Sequence, residues 1–153
     1  MRSTVASIVL VFLFSLPTLA CAASAREEVE LDSAALAQLE QRAQHAEARD
    51  QAYLYTELVQ IYTQMAGKQM AAGDMDQATV TLKRVQHYAA LVHAGVARDA
   101  KKLKNAEMIM QAATFRLGQC MRMVSSDDKP TVESTLHQLD KVHDELLAQV
   151  FSH

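Results

Sequence analysis

An all-α fold is what this sequence predicts, built from antiparallel helical hairpins on one long central helix of about residues 75–124. Three observations carry that expectation. The first is a seam at alternating steps of four and three: Ala78, Leu82, Val85, Ala89, Val92, Val96, Asp99, Leu103, Ala106, Met110, Ala113, Leu117, Cys120, Val124. All of these except Asp99 are apolar or cysteine, and such spacing lies along one side of a helix. The second is composition. The 153 residues hold no tryptophan, two prolines and four glycines, a poor supply of turns and strands. The third is charge. Residues 26–82 carry four Lys and Arg against ten Asp and Glu, residues 83–122 eight against two, and residues 123–153 two against six. Acidic flanks that fold back on a basic middle place opposite signs face to face.

The N-terminus reads as an export signal over residues 1–25. Arg2 precedes an apolar run, Val5 to Leu16, which Pro17 ends. Small residues follow, and the patterns Ala20-Cys21-Ala22 and Ala23-Ser24-Ala25 both suit signal peptidase. Cleavage after Ala25, before Arg26-Glu27-Glu28, is the favoured site. It leaves residues 26–153 as a single helical domain in the periplasm or outside the cell. The run is short for a membrane anchor. Thr18-Leu19-Ala20-Cys21 offers a lipoprotein alternative, with Thr18 where an aliphatic residue is usual. Membrane attachment would then run through Cys21. Cys120 is the one cysteine left after cleavage at Ala25, so no internal disulfide forms, and its place on the seam predicts burial.

Four helices are expected. Asp32 or Ser33 can cap the first, about 33–48, whose stripe Leu36, Leu39, Ala43, Ala46 is narrow. The second, about 51–72, carries Leu54, Leu58, Ile61 and Met65 with Tyr55 and Tyr62 beside them. Gly73 closes it, since glycine accepts the left-handed backbone of a helix end, and Asp74 caps the long helix. Continuity through Gly95 is favoured, because one glycine costs only ~1 kcal/mol in a helix. A break between Gly95 and Asp99 would instead give two helices and a compact bundle. Arg49 is expected to pair with Asp99. Ser125 to Pro130 is a polar turn, with Pro130 suited to a first helical position. The last helix, about 131–151, repeats Val132, Leu136, Leu139, His143, Leu146, Val150 and should cover the second half of the long one.

The segment Gly73-Asp74-Met75-Asp76-Gln77-Ala78 resembles the inter-helix turn of a tetratricopeptide unit, with its small residue at Ala78. On that alignment Leu82 and Val85 take packing positions, Tyr62 stands where a large aromatic is usual, and Met65 and Ala66 replace Leu and Gly. Gln69 departs from the aromatic preference, and no proline ends the unit. The likeness covers about residues 59–90, with no second copy at the family period of about 34 residues. It implies a helical hairpin and a protein-binding role.

Little in the sequence points to chemistry. The six histidines form no His-x-x-x-His or Glu-x-x-His pair. Only His143 is expected to face inward, opposite Met110 and Ala113, so a small-ligand, metal or haem-binding bundle centred on His143 and Met110 is the alternative function. Met108, Met110, Met121 and Met123 are read as core packing rather than a copper site. Arg98, Lys101, Lys102 and Lys104 lack interleaved aromatics, so nucleic acid is not an expected partner. No nucleophile motif, phosphate loop or carboxylate pair suggests an enzyme, and no cofactor is expected. The leading expectation is an exported interaction or structural module, bound to a protein partner or to itself. A periplasmic chaperone-like role is a further alternative.

Overall fold

The computed structural model describes residues 21–96 and 100–152, with side chains from residue 33 onward. Most of the expected export signal with Pro17, the side chain of Cys21, and Arg98 and Asp99 lie outside the described residues. So does the expected pairing of Arg49 with Asp99. Five helices are present among the described residues: α1 Cys21–His45, α2 Ala48–Ala71, α3 Met75–Val96, α4 Leu103–Cys120 and α5 Lys129–Phe151. The chain divides into two compact units, residues 1–34 and 35–153. Described residues of the first are helical from Cys21. The second contains the end of α1 and all of α2–α5.

The fold is all-α, but the expected helix over about 75–124 is two helices. α3 ends at Val96, and α4 starts at Leu103 after Lys102 in the left-handed region (φ 57°). Two further contacts fix the crossover. Lys101 N–H donates to the Arg49 carbonyl at 2.7 Å, and Lys101 Nζ reaches Asp50 at 3.2 Å. The physical reason is burial. A single rod would split its seam between two separate covers. The break returns α4 beside α2, and Leu82, Val85, Val92, Met110, Leu117, Leu139 and Leu146 all become fully buried in one core.

Two antiparallel hairpins result, α2/α3 and α4/α5. They lie side by side, with α2 against α4 and α3 against α5. Cross-contacts give the directions. Asp50 meets Lys101 and Gly67 meets Cys120, so α2 and α4 are parallel. Gln86 Nε2 donates to Thr135 Oγ1 at 2.8 Å, and His93 meets Glu145, so α3 and α5 are parallel too. His143 meets Glu107, which makes α5 antiparallel to α4.

The turn at Gly73 has a full C-terminal capping pattern. Gly73 has φ +78°, its N–H donates to the Met70 carbonyl, and Asp74 N–H donates to the Gln69 carbonyl at 2.9 Å. Asp74 Oδ1 then accepts from Gln77 N–H at 3.1 Å at the start of α3. Ala78 is fully buried where the two helices close. Pro130 lies in the first turn of α5, after Ser125 Oγ donates to Asp128 at 2.7 Å.

Several side chains depart from the expected faces. α1 runs from Cys21, so Asp32 and Ser33 do not start it; no proline or glycine interrupts Cys21–His45. Met65 is at the surface, because Tyr55, Tyr62 and Tyr88 turn inward and stack at 5.6–6.0 Å between ring centres. On α5 the buried set is Val132, Thr135, Leu139, Val142 and Leu146. Val142 therefore takes the inward place expected of His143. Thr135 tolerates burial because Gln86 and the Thr131 carbonyl satisfy its hydroxyl. Met108 and Met123 are exposed rather than core, whereas Met110 is fully enclosed.

Candidate functional site: the groove between α2 and α4

The parallel pair α2 and α4 leaves an open groove of about 530 Å³ near their C-terminal ends. Gln64, Gly67, Lys68 and Ala71 line it from α2, one helix turn apart. Arg116, Gln119 and Cys120 line it from α4, with Arg122 and Met123 just beyond. Gly67 sets the depth. A Cβ there would sit 3.4 Å from the Cys120 sulfur, so the helices approach closely and the floor is made of Gly67, Ala71 and Cys120.

The electrostatics are one-sided. Three cations and no carboxylate line the groove. Among the described residues, Lys68, Arg116 and Arg122 form no ion pair. Lys68 is in the last turn of α2, where a cation also offsets the helix dipole. Cys120 is 3% exposed, and its S–H donates to the Arg116 carbonyl at 3.4 Å. Burial pushes its thiol pKa up, with the nearby Arg116 acting the other way. A buried thiol is a poor thiolate source. In a Cys21→Ser chain, Cys120 is expected to react with a disulfide reagent at pH 7.5 at least about tenfold slower than in urea. An equal rate would show that the sulfur is open to solvent.

The residues singled out from sequence lie elsewhere. His143 is half-buried at the rim of α4/α5, with Nε2 3.0 Å from Glu107 Oε1 and Nδ1 4.0 Å from Asp144. Met110 is in the closed core, and no hydrogen bond or ion pair links it with His143. No group of three or more His, Cys, Asp or Glu side chains placed to hold a metal occurs among the described residues. Lys101 is paired with Asp50, and Lys102 Nζ stands 4.6 Å from the Tyr53 ring centre, so both serve the crossover. No described helix is long and apolar enough to cross a membrane. Gly73, Asp74, Ala78 and Pro130 shape turns and helix starts.

A second polar cluster holds α1. Glu40 Oε1 accepts from the hydroxyls of Tyr62 and Tyr88, the latter at 2.7 Å, and lies 3.5 Å from Arg84. Arg84 also donates to the Tyr62 oxygen at 2.9 Å. Burial, then the hydrogen bond to Glu40, raises the pKa of both phenols. The cluster joins three helices and stacks three tyrosines, so its part is architectural.

Sequence reading missed the groove because the basic stretch drew attention to residues 98–104. Its signals were a glycine inside the second helix, Gly67, and cations spaced by six at Arg116 and Arg122. Neither indicates a site until α2 and α4 are known to be neighbours. No protein-family model matches the chain, and no curated protein or solved structure shows significant similarity to it.

Proposed function

We propose that this is an exported protein-interaction module whose α2/α4 groove takes an acidic, partly apolar segment of a partner protein. The observation that supports the reading is the groove itself, with three unpaired cations over a floor of small and apolar residues. Carboxylates of an incoming segment find charge-assisted partners there, and apolar side chains gain cover on the exposed Ala71 and Met123. Two parallel hairpins displayed side by side suit such docking, and the tetratricopeptide-like turn at Gly73-Asp74 is consistent with it.

A fluorescein-labelled peptide of alternating glutamate and leucine is a direct probe. Its anisotropy should rise with the protein and fall with added salt. Lys68→Glu with Arg116→Glu should weaken binding at least about tenfold, roughly 1.4 kcal/mol. Both side chains are at the surface or rim, so circular dichroism should be unchanged. Equal affinity of the double variant would sink the reading.

A further inference from the structure

Gly118 has no reason within its own chain. It stands inside α4, where glycine is a poorer helix former than alanine. A Cβ added there would meet nothing within 4 Å, whereas one on Gly67 or Gly95 would press on Cys120 or Ala52. The space over Gly118 is open, and Phe115, one turn before it, is 68% exposed.

The side of α4 that faces α2 is marked by Cys120, and the side that faces α5 by Glu107. At about 3.6 residues per turn, Lys104, Phe115 and Gly118 fall on the flank turned away from α2. On α5, Thr135, Gln138 and Glu145 mark the side towards α3. The opposite side carries Leu147, Asp140 and Asp144, and Leu136 stands at its edge, partly packed against the core. Leu136 and Leu147 are only half-buried. The free flank of the α4/α5 hairpin is thus apolar at its centre, with a cation on one helix and carboxylates on the other.

We infer that this flank is the interface of a two-fold dimer in which α4 of each copy lies antiparallel on α5 of the other. The occupant is a second copy because the flank complements itself. A two-fold axis parallel to the helices brings Lys104 of α4 onto the carboxylates of α5 twice, as an isologous contact requires. An axis across the helices would set α4 on α4 and acidic α5 on acidic α5. The Glu107–His143 bond fixes the levels. Phe115 is then about level with Leu136 of the second copy, and Lys104 lies within about 3 Å of the level of Asp144, inside the reach of its side chain. Lys104 has no ion pair among the described residues, and Asp144 is 81% exposed. The close approach of the two hairpins accounts for Gly118. This surface is separate from the α2/α4 groove.

Sedimentation equilibrium of the full chain from about 1 to 100 μM tests the inference. A monomer–dimer equilibrium is expected. Phe115→Asp should weaken it at least about tenfold, whereas Val80→Asp, at an exposed site on α3, should leave it unchanged. Lys104→Glu should weaken it, and adding Asp144→Lys should restore it. Gly118→Leu should weaken association while far-UV circular dichroism stays the same. A monomer at every concentration, an association indifferent to Phe115→Asp, or a charge swap without rescue would each overturn the proposal. Lys68 and Arg116 are untouched by these variants, so the peptide assay reports on the groove separately.

Discussion

Leu117→Ala is expected to lower the unfolding free energy by about 2–5 kcal/mol, with tyrosine and far-UV circular dichroism reporting one shared shift. Leu117 is fully buried on α4. Truncation removes its transfer energy and leaves a cavity that packed helices only partly close. The loss is large against a typical domain stability of about 5–15 kcal/mol. The probe adds a test of architecture. All four tyrosines, Tyr53, Tyr55, Tyr62 and Tyr88, lie on α2 and α3. The cavity lies in the other hairpin. Because α2 packs on α4 and α3 on α5, the tyrosine signal should move with the whole helical signal. A tyrosine transition left at its wild-type urea midpoint would mean that the hairpins unfold independently.

Glu40→Ala should cost about 1–3 kcal/mol, from hydrogen bonds to a charged acceptor reduced by partial exposure. The carboxylate accepts from two tyrosines and lies beside Arg84, with 23% of its side chain exposed. Removing it leaves two largely buried phenols without their acceptor and detaches the anchor of α1. Proteolysis after Arg42 should quicken accordingly. Glu40→Gln, which keeps an oxygen but not the charge, should lose less. An urea midpoint unchanged in Glu40→Ala would show that the cluster adds nothing to stability.

The same cluster sets an alkaline limit. Tyr62 and Tyr88 have folded pKa values above their ordinary value of 10.0. The unfolded chain therefore releases these protons first as pH rises. Their contribution is fully present below about pH 10 and is lost as pH climbs through the folded values. Urea midpoints between pH 8 and about 11 should fall in the wild type and fall less in Tyr62→Phe with Tyr88→Phe.

Local chemistry was legible where one residue type had one physical use. Gly73-Asp74 could be read as cap and turn, because a left-handed glycine followed by a capping aspartate has few other meanings. Burial of Cys120 followed from its place on the seam. Faces were less legible where a helix meets two neighbours. On α5 either Val142 or His143 continues the stripe, and the choice depends on where α3 and α4 sit. Met65 and Met108 read as core by residue type, yet tyrosines filled one place and the outward turn of α4 exposed the other. The groove was hidden for the same reason, since Gly67 and Arg116 are 49 positions apart in sequence and become neighbours only when α2 meets α4.

By itself, the sequence determined the all-α class, both hairpin turns and the residues that must be buried between Met75 and Val124. Periodicity encodes which side of a helix avoids water, and that is a property of neighbouring residues. Tertiary structure decided what covers that side. The seam's spacing is the same in a continuous helix and in two helices, because Lys102 carries no local mark of its left-handed backbone. Only the common core beneath α2, α3, α4 and α5 favours the break, by burying both halves of the seam at once.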